Sequence, residues 1–229
     1  MDLLSQTLFT VWGYPLSLLE FIGVLTGLAG VYLASDEKSV NFLFGLLNNV
    51  CYFILFFKFR LYSVMLLQLV YFILSLYGYY HWKHPGNEES GHNMERRIVR
   101  LTWKNRLVYL EVILLSGLCW GWGIITLQGR FPQYFDPPAY PWLDAVLTMG
   151  SVAGQWLLSR KYLDNWPLWI IIDLVSCILY AYMGMIFTAV MYGVFTLIAV
   201  KAMIDWSKTY KSYQVSPVSV ETTENETRG

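Results

Sequence analysis

The sequence has few charged residues for its length. Aspartate, glutamate, lysine and arginine make up 14% of the 229 residues, whereas about a quarter of an average soluble domain is charged. Hydrophobic residues make up 56%, and the mean hydropathy is +0.43. This composition excludes an ordinary soluble domain and predicts an integral membrane protein. The equal numbers of basic and acidic residues, 16 of each, give no indication of a nucleic-acid partner.

Cysteine and the motifs of enzymes are also scarce. The three cysteines lie in apolar segments without a CxxC spacing, so we interpret them as packing residues rather than as a disulfide framework. The sequence contains no GxSxG, HExxH or P-loop motif and no pair of carboxylates suited to hydrolysis. We therefore expect neither an enzyme nor a bound cofactor or metal.

Long apolar runs dominate what is present. A helix needs about 20 mostly apolar residues to cross a bilayer. Seven segments meet this need, at roughly 16–34, 42–58, 61–82, 107–127, 143–159, 166–182 and 185–206. The sequence thus predicts an all-α integral membrane protein with seven transmembrane helices. The polar segment at 83–106 is predicted to be a loop, and the polar tail at 215–229 is expected to be disordered.

Lysine and arginine are distributed unevenly between the connecting segments. One set of alternating loops and termini holds three of these residues, and the other holds 12, six of which lie at 83–106. Positive charge is enriched in the cytoplasmic segments of membrane proteins. The distribution therefore predicts an N-terminus outside the cell, with the loop at 83–106 and the C-terminus in the cytoplasm.

An internal repeat relates the two halves of the chain. Shifted by 124 positions, residues 19–82 align with residues 143–206 without a gap, and ten of the 64 pairs are identical. One of the identical pairs is Trp82 with Trp206, and two further pairs align in type: Glu20 with Asp144, and Asn49 with Asp173.

The repeat predicts an architecture of two bundles. The first three-helix repeat spans 16–82, the second spans 143–206, and a linker helix at 107–127 joins them. Because each repeat has an odd number of helices, a single linker helix gives both repeats the same orientation. Parallel repeats of this kind are a transporter architecture, with the substrate site between the halves near the middle of the membrane.

The stretch "NWPLWIIIDLV" at 165–175 carries the most unusual chemistry. A carboxylate at the centre of a membrane helix costs about 2.5–3.5 kcal/mol on insertion scales, so Asp173 indicates a function. Trp166, Trp169 and Tyr180 share its helix face by their spacing, and Asn49 is its counterpart in the first repeat. Two such faces would line a cavity with flat apolar walls and a few polar groups, typical of a small-molecule site.

Three further residues are candidates for the same cavity. Gln68 and its repeat counterpart Tyr192 lie in the middle of their helices, and Asn48 stands beside Asn49. These side chains either line the cavity or join helices through hydrogen bonds worth about 0.6–2 kcal/mol. For the two tryptophans the alternative is an interfacial anchor, and for Asp173 it is a purely structural polar contact.

The candidate residues also suggest a type of ligand. Indole faces stack on flat rings and attract cationic rings most strongly. Asp173 could balance a positive charge or accept hydrogen bonds, and Asn49 could bond to hydroxyl groups. A cationic aromatic ring joined to a sugar would satisfy all of these groups.

Three stretches resemble the PnuC transporters of bacteria, and the resemblance covers roughly residues 16–210. They are "NWPLWIIID", "NFLFGLLN" and "LYSVMLLQLVYFILSLYGYYHWK". Trp166 and Trp169 match the WxxW motif of that family, whereas the family pattern often has asparagine where this chain has Asp173. The resemblance implies a fold similar to a duplicated SWEET sugar transporter and a homotrimer in the bacterial inner membrane. It also implies facilitated diffusion of nicotinamide riboside, which cytoplasmic phosphorylation then traps.

Other functions remain open from the sequence. Related branches carry thiamine or riboflavin, which also contain flat rings, and a sugar transporter of the SWEET type is a further alternative. A membrane-embedded enzyme would need a second carboxylate or a histidine at bilayer depth, and a receptor would bind without transport. No charge pair suited to ion coupling is evident, so we expect transport without a proton or sodium gradient.

Overall fold

The computed structural model describes residues 7–11, 13–58, 62–85, 96–133 and 140–215. A short antiparallel hairpin of β1 (Thr7–Val11) and β2 (Tyr14–Ser17) precedes seven helices. They are α1 (Leu18–Ser35), α2 (Asn41–Lys58), α3 (Tyr62–Lys83), α4 (Trp103–Arg130), α5 (Pro141–Ser159), α6 (Asn165–Tyr182) and α7 (Ile186–Val215). The prediction of an all-α membrane protein with seven helices is confirmed. The hairpin was not predicted, and nearly all of the tail at 215–229 lies outside the described residues.

Two helices extend beyond their predicted bounds. The helix predicted at 107–127 begins at Trp103, because the hydroxyl of Thr102 accepts a hydrogen bond from the backbone N–H of Asn105 and caps the first turn. Its first residues therefore belong to the segment that was predicted as a loop. The last helix continues to Val215 because its polar end still presents a half-buried stripe, formed by Met203, Tyr210 and Tyr213, to the protein core.

By length and composition, six of the described helices can cross a membrane: α1 to α4, α6 and α7. The 19-residue α5 falls outside this set, because Asp144, Thr148, Ser151 and Gln155 make it more polar. It packs against α3, α4 and α6 inside the bundle, where these polar groups are shielded from lipid.

Residues 124 positions apart make matching contacts at one end of the bundle. This end, called the basic end below, carries the α1–α2 turn, residues 96–102 and the α5–α6 turn. The Trp82 indole N–H donates to the carbonyl of Leu158 (3.1 Å), and the Trp206 indole N–H donates to the carbonyl of Ala34 (3.2 Å). Each of these two indole bridges joins the third helix of one half to the first helix of the other.

Four buried rings lie beside the indole bridges and form the tryptophan cluster, defined as Phe42, Trp82, Trp166 and Trp206. Each ring is at most 1% exposed. Phe42 meets Trp82 edge-on at 5.0 Å between ring centroids, and Trp166 meets Trp206 edge-on at 5.4 Å. Because 42 and 166 are also 124 apart, the two contacts are equivalent, one within each half. Trp82 and Trp206, with ring centroids 5.7 Å apart, join the halves.

A buried ion pair completes this end. Lys161 Nζ lies 3.3 Å from a carboxylate oxygen of Glu37 and 4.8 Å from the centroid of the Trp82 ring. Glu37 and Lys161 are again 124 apart and share a left-handed backbone, with φ of 60° and 59°. The two turns therefore have the same conformation and meet through opposite charges.

Reversing this ion pair tests the equivalence of the two turns. We expect Glu37→Lys to lower the free energy of unfolding by about 3 kcal/mol, because it places a second cation beside the buried Lys161. The double variant Glu37→Lys with Lys161→Glu should recover most of the loss, because each charge then occupies the matching position. The apparent Tm in detergent measures both variants, and equal instability of the two would contradict the equivalence.

Candidate functional site

A cavity of about 650 Å³ lies between the two halves. Helices α1, α2 and α3 line one side, α5, α6 and α7 line the other, and β2 contributes at one end. Within the described residues, α4 contributes nothing to the lining. The volume is in the range of small-molecule sites, which is about 300–1,000 Å³.

All eight residues selected from the sequence line this one cavity. They are Asn48, Asn49, Gln68, Trp166, Trp169, Asp173, Tyr180 and Tyr192. They come from four helices, so the spacing rules that placed them on inward faces hold for both halves.

Asp173 lies at mid-helix depth on α6. It is eight residues, or about 12 Å, from the start of the helix, and only 6% of it is exposed. Among the described residues, its carboxylate has neither a hydrogen-bond donor nor a cation as partner. Asn49 is buried at the equivalent place on α2 and also lines the cavity. An unpaired carboxylate and an amide thus face the cavity from the two halves.

The two tryptophans occupy different surroundings. Trp169, on α6, packs against Gly154 of α5. A Cβ added at Gly154 would come within 3.0 Å of the indole ring, so glycine makes room for this indole. Trp166 belongs to the tryptophan cluster, and its indole N–H is buried without an acceptor among the described residues. Trp169 therefore forms a wall of the cavity, and Trp166 forms its floor at the basic end.

The amides divide between the two roles that the sequence left open. Asn48 donates a hydrogen bond of 2.6 Å to the carbonyl of Gly23 and thereby joins α2 to α1, while also lining the cavity. Gln68 is 9% exposed and makes no hydrogen bond within the described part of the chain. Tyr180 and Tyr192 stack with their ring centroids 5.4 Å apart and add flat aromatic surface.

Sequence reasoning missed a polar face on α5. Thr148, Ser151 and Gln155 line the cavity, and the amide N–H₂ of Gln155 donates to the hydroxyl of Ser75 on α3 (3.4 Å). Their spacings of three and four residues place them on one helix face. The same criterion that selected α6 would have found them.

The ionisable lining residues are all acidic apart from tyrosines. Glu20, Asp144 and Asp173 line the cavity, and no lysine, arginine or histidine of the described residues does so. Glu20 also belongs to the capping box of α1 and accepts a hydrogen bond of 2.9 Å from the Tyr14 hydroxyl. Burial and this hydrogen bond raise the pKa of Tyr14 to about 12. The cavity therefore favours cations and disfavours anions.

The two ends of the cavity differ in exposure. At the end that carries β1 and β2, called the hairpin end below, the lining residues Tyr14, Val64 and Asp144 are exposed. At the basic end, Ala34 and Ala199 are buried together with the tryptophan cluster. The cavity is thus accessible from the hairpin end and closed at the basic end.

Comparison with known proteins identifies relatives of this chain. A family model described as "Nicotinamide mononucleotide transporter" matches residues 17–208. The nicotinamide riboside transporter PnuC of Escherichia coli is 32% identical over 216 residues, covering 85% of this chain and 87% of the relative. The riboflavin/roseoflavin transporter RibM of Streptomyces davaonensis is 23% identical over 139 residues, covering 61% of each chain.

A solved structure has the same fold. The crystal structure of the vitamin B3 transporter PnuC superposes with a TM-score of 0.66 at 24% identity, covering 85% of this chain and 82% of that chain. This match shows the fold, whereas the family model and the Escherichia coli relative show the family. The chain belongs to the PnuC family of membrane transporters.

Proposed function

We propose that this protein carries nicotinamide riboside across the bacterial inner membrane by facilitated diffusion. One observation supports the proposal above others: a cavity of about 650 Å³ between the two halves holds an unpaired carboxylate, aromatic faces and amides, with no basic residue among its described lining. Nicotinamide riboside is a cationic pyridinium joined to a ribose. Each of its parts therefore has a complementary group in the cavity.

The charge of the cavity favours the riboside over the mononucleotide. The family description names the mononucleotide, whereas the Escherichia coli relative is named for the riboside. A phosphate group is held most strongly by cationic partners, and the described lining offers three carboxylates and no cation. Bringing a phosphate into this cavity would place like charges together at low dielectric.

The proposed binding mode follows from the positions of the lining groups. The pyridinium ring stacks on Trp169, with Asp173 as its counter-charge, and Trp166 supports it from the floor. Asn49, Asn48 and Gln68 bind the ribose hydroxyls and the carboxamide through hydrogen bonds. Tyr180 and Tyr192 enclose the ligand from α6 and α7.

The likeness to RibM makes riboflavin the second candidate substrate. The flavin ring is flat and would also stack on Trp169, but it is neutral at physiological pH, so it would gain nothing from the charge of Asp173. Thiamine has a cationic ring but lacks the ribose hydroxyls, and a saccharide has no cationic ring for which Asp173 could be the counter-charge. Nicotinamide riboside uses the whole set.

The tryptophan cluster supports an alternating-access mechanism. The repeats at 16–82 and 143–206, joined by the helix predicted at 107–127, would rock as two bodies about the ligand. Opening the basic end would break the two indole bridges, since each bridge joins different halves. With the basic end in the cytoplasm, the solute would enter at the hairpin end, leave at the basic end and be trapped by phosphorylation. By the family resemblance, we extend the proposal to a homotrimer.

Calorimetry on the purified protein tests the choice of substrate. We expect nicotinamide riboside to bind, and nicotinamide mononucleotide to bind at least about 100-fold more weakly, because the charged groups that its phosphate meets in the described lining are all carboxylates. Riboflavin, thiamine and glucose serve as comparison ligands. Tighter binding of riboflavin than of nicotinamide riboside would favour the second candidate, and equal binding of the mononucleotide would contradict the electrostatic argument.

An Asp173→Asn variant tests the counter-charge. We expect about tenfold weaker binding of nicotinamide riboside, because a hydrogen bond or contact with a charged group is worth about 1.5–3 kcal/mol. The reduced riboside has a neutral ring on the same ribose, so its affinity should change little. Asp205→Asn, on α7 outside the cavity lining, is the matched control. An equal loss for the charged and neutral ligands would contradict the assigned role.

Replacing Trp82 and Trp206 together with phenylalanine tests the closure of the basic end. Phenylalanine keeps an aromatic ring but cannot donate to the carbonyls of Leu158 and Ala34, which removes two hydrogen bonds of about 1 kcal/mol each. A cysteine at Ala199, with the three native cysteines replaced by alanine, should then react about tenfold faster with an impermeant maleimide added at the basic side.

The matched control for this double variant is Trp122→Phe, because Trp122 lies on α4 and is 67% exposed. It should leave the labelling rate unchanged. Unchanged labelling in the double variant as well would mean that the indole bridges do not hold the basic end closed.

A further inference from the structure

A second concave surface lies on the outside of the helical bundle. This groove of about 590 Å³ runs from the basic end between α4, α6 and α7. It shares none of its described lining residues with the central cavity. The proposed transport mechanism therefore leaves the groove without a function.

The floor of the groove is apolar and open to the bilayer. Leu110, Ile171 and Ile204 line it and are each about half exposed or more. On α4 the lining runs from Arg106 to Ile113, which is about 10 Å of helix, and on α7 from Lys211 to Met203, about 12 Å. One leaflet contributes about 15 Å of hydrocarbon. The groove is thus nearly as deep as the hydrocarbon layer of one leaflet, and it can hold an acyl chain.

The rim of the groove is cationic. Arg100, Arg106, Lys208 and Lys211 line it at the basic end, and Asp164 is the single acidic residue of the described lining. Arg100 and Lys211 make no hydrogen bond or ion pair within the described residues, whereas Lys208 pairs with Asp205 at 3.1 Å.

Asp164 is already fully engaged. One of its carboxylate oxygens lies 2.8 Å from an Arg106 guanidinium nitrogen, and the other accepts a hydrogen bond of 2.7 Å from the backbone N–H of Leu101. These contacts fix the positions of Arg106 and Leu101 at the basic end of the groove, and they neutralise one of its four cations. Because Lys208 is also paired, with Asp205, two unpaired positive charges, Arg100 and Lys211, remain to attract a ligand.

We propose that this groove binds one anionic phospholipid of the leaflet at the basic end. The phosphate would lie between Arg100 and Lys211, and an acyl chain would cover Leu110, Ile171 and Ile204. Basic pockets between transmembrane helices on the cytoplasmic side are suited to such headgroups. A second copy of the chain would need an acidic surface at the same membrane depth, whereas the described residues at the basic end carry more lysine and arginine than aspartate and glutamate.

Lipid binding to the full-length protein tests the proposal. The protein is delipidated in a mild detergent, and native mass spectrometry then follows binding of dioleoylphosphatidylglycerol and dioleoylphosphatidylcholine. We expect the anionic lipid to bind with a stoichiometry of one per chain and at least about tenfold more tightly than the zwitterionic lipid. Millimolar inorganic phosphate should not displace it, because the apolar floor contributes to binding.

The variant Arg100→Gln with Lys211→Gln should weaken binding of the anionic lipid roughly tenfold. The control Lys104→Gln with Arg160→Gln removes the same charge near the basic end but outside the groove lining, and should leave the affinity unchanged. Equal losses in both variants, or displacement by inorganic phosphate, would overturn the proposal. So would disulfide cross-linking between copies through a cysteine at Ile204, which would place another chain in the groove.

Discussion

The structure depends on a carboxylate placed halfway along a transmembrane helix. Asp173 cannot face lipid without a cost of several kcal/mol, and the described residues supply it with no partner that would neutralise it. A dry contact between helices would carry nearly the same penalty. The remaining solution is a cavity that admits water or a polar solute, and the other lining groups are arranged accordingly. Asn49 faces the cavity from the opposite half, Gln68 adds a second amide, and the polar face of α5 meets the same space.

The internal repeat determines where this cavity can open. The contacts at the basic end repeat with the same offset of 124 positions, and they involve four rings, two carbonyls and one ion pair. Each half therefore provides a carbonyl acceptor for an indole of the other half and one partner of the ion pair. Closure there is a joint property of both halves, because neither can move relative to the other without breaking both indole bridges. The hairpin end has a different arrangement. Its aromatic contact, between Tyr14 and Phe187, involves the hairpin, which the second half does not duplicate in the described residues. The two ends are therefore held by different interactions.

Much of this arrangement could be predicted from the sequence, and the remainder could not, for physical reasons. Helix positions follow from hydropathy, and inward faces follow from spacing, which is why eight residues chosen from four helices share one cavity. The spacing of residues along the chain does not show which residues of other helices they will contact. The sequence left either Trp166 or Trp169 to stack on a ligand, and it could not show that the Trp166 ring packs against Trp206, 40 residues later in the chain, at the floor of the cavity. The hydrogen bond from Asn48 to Gly23 and the indole bridges likewise depend on how helices cross. The hairpin was missed because its strands are only five and four residues long.

The charges inside and outside the bundle have opposite signs, and this contrast bears on the direction of transport. The cavity lining is acidic and would attract the cationic ring of the proposed substrate, whereas the basic end would repel that ring once it has left. A phosphorylated product would be attracted to the lysines and arginines of the basic end, but its phosphate would be excluded from the acidic cavity. Under the proposed mechanism, with phosphorylation in the cytoplasm, the electrostatics of the two regions would together favour retention of the product.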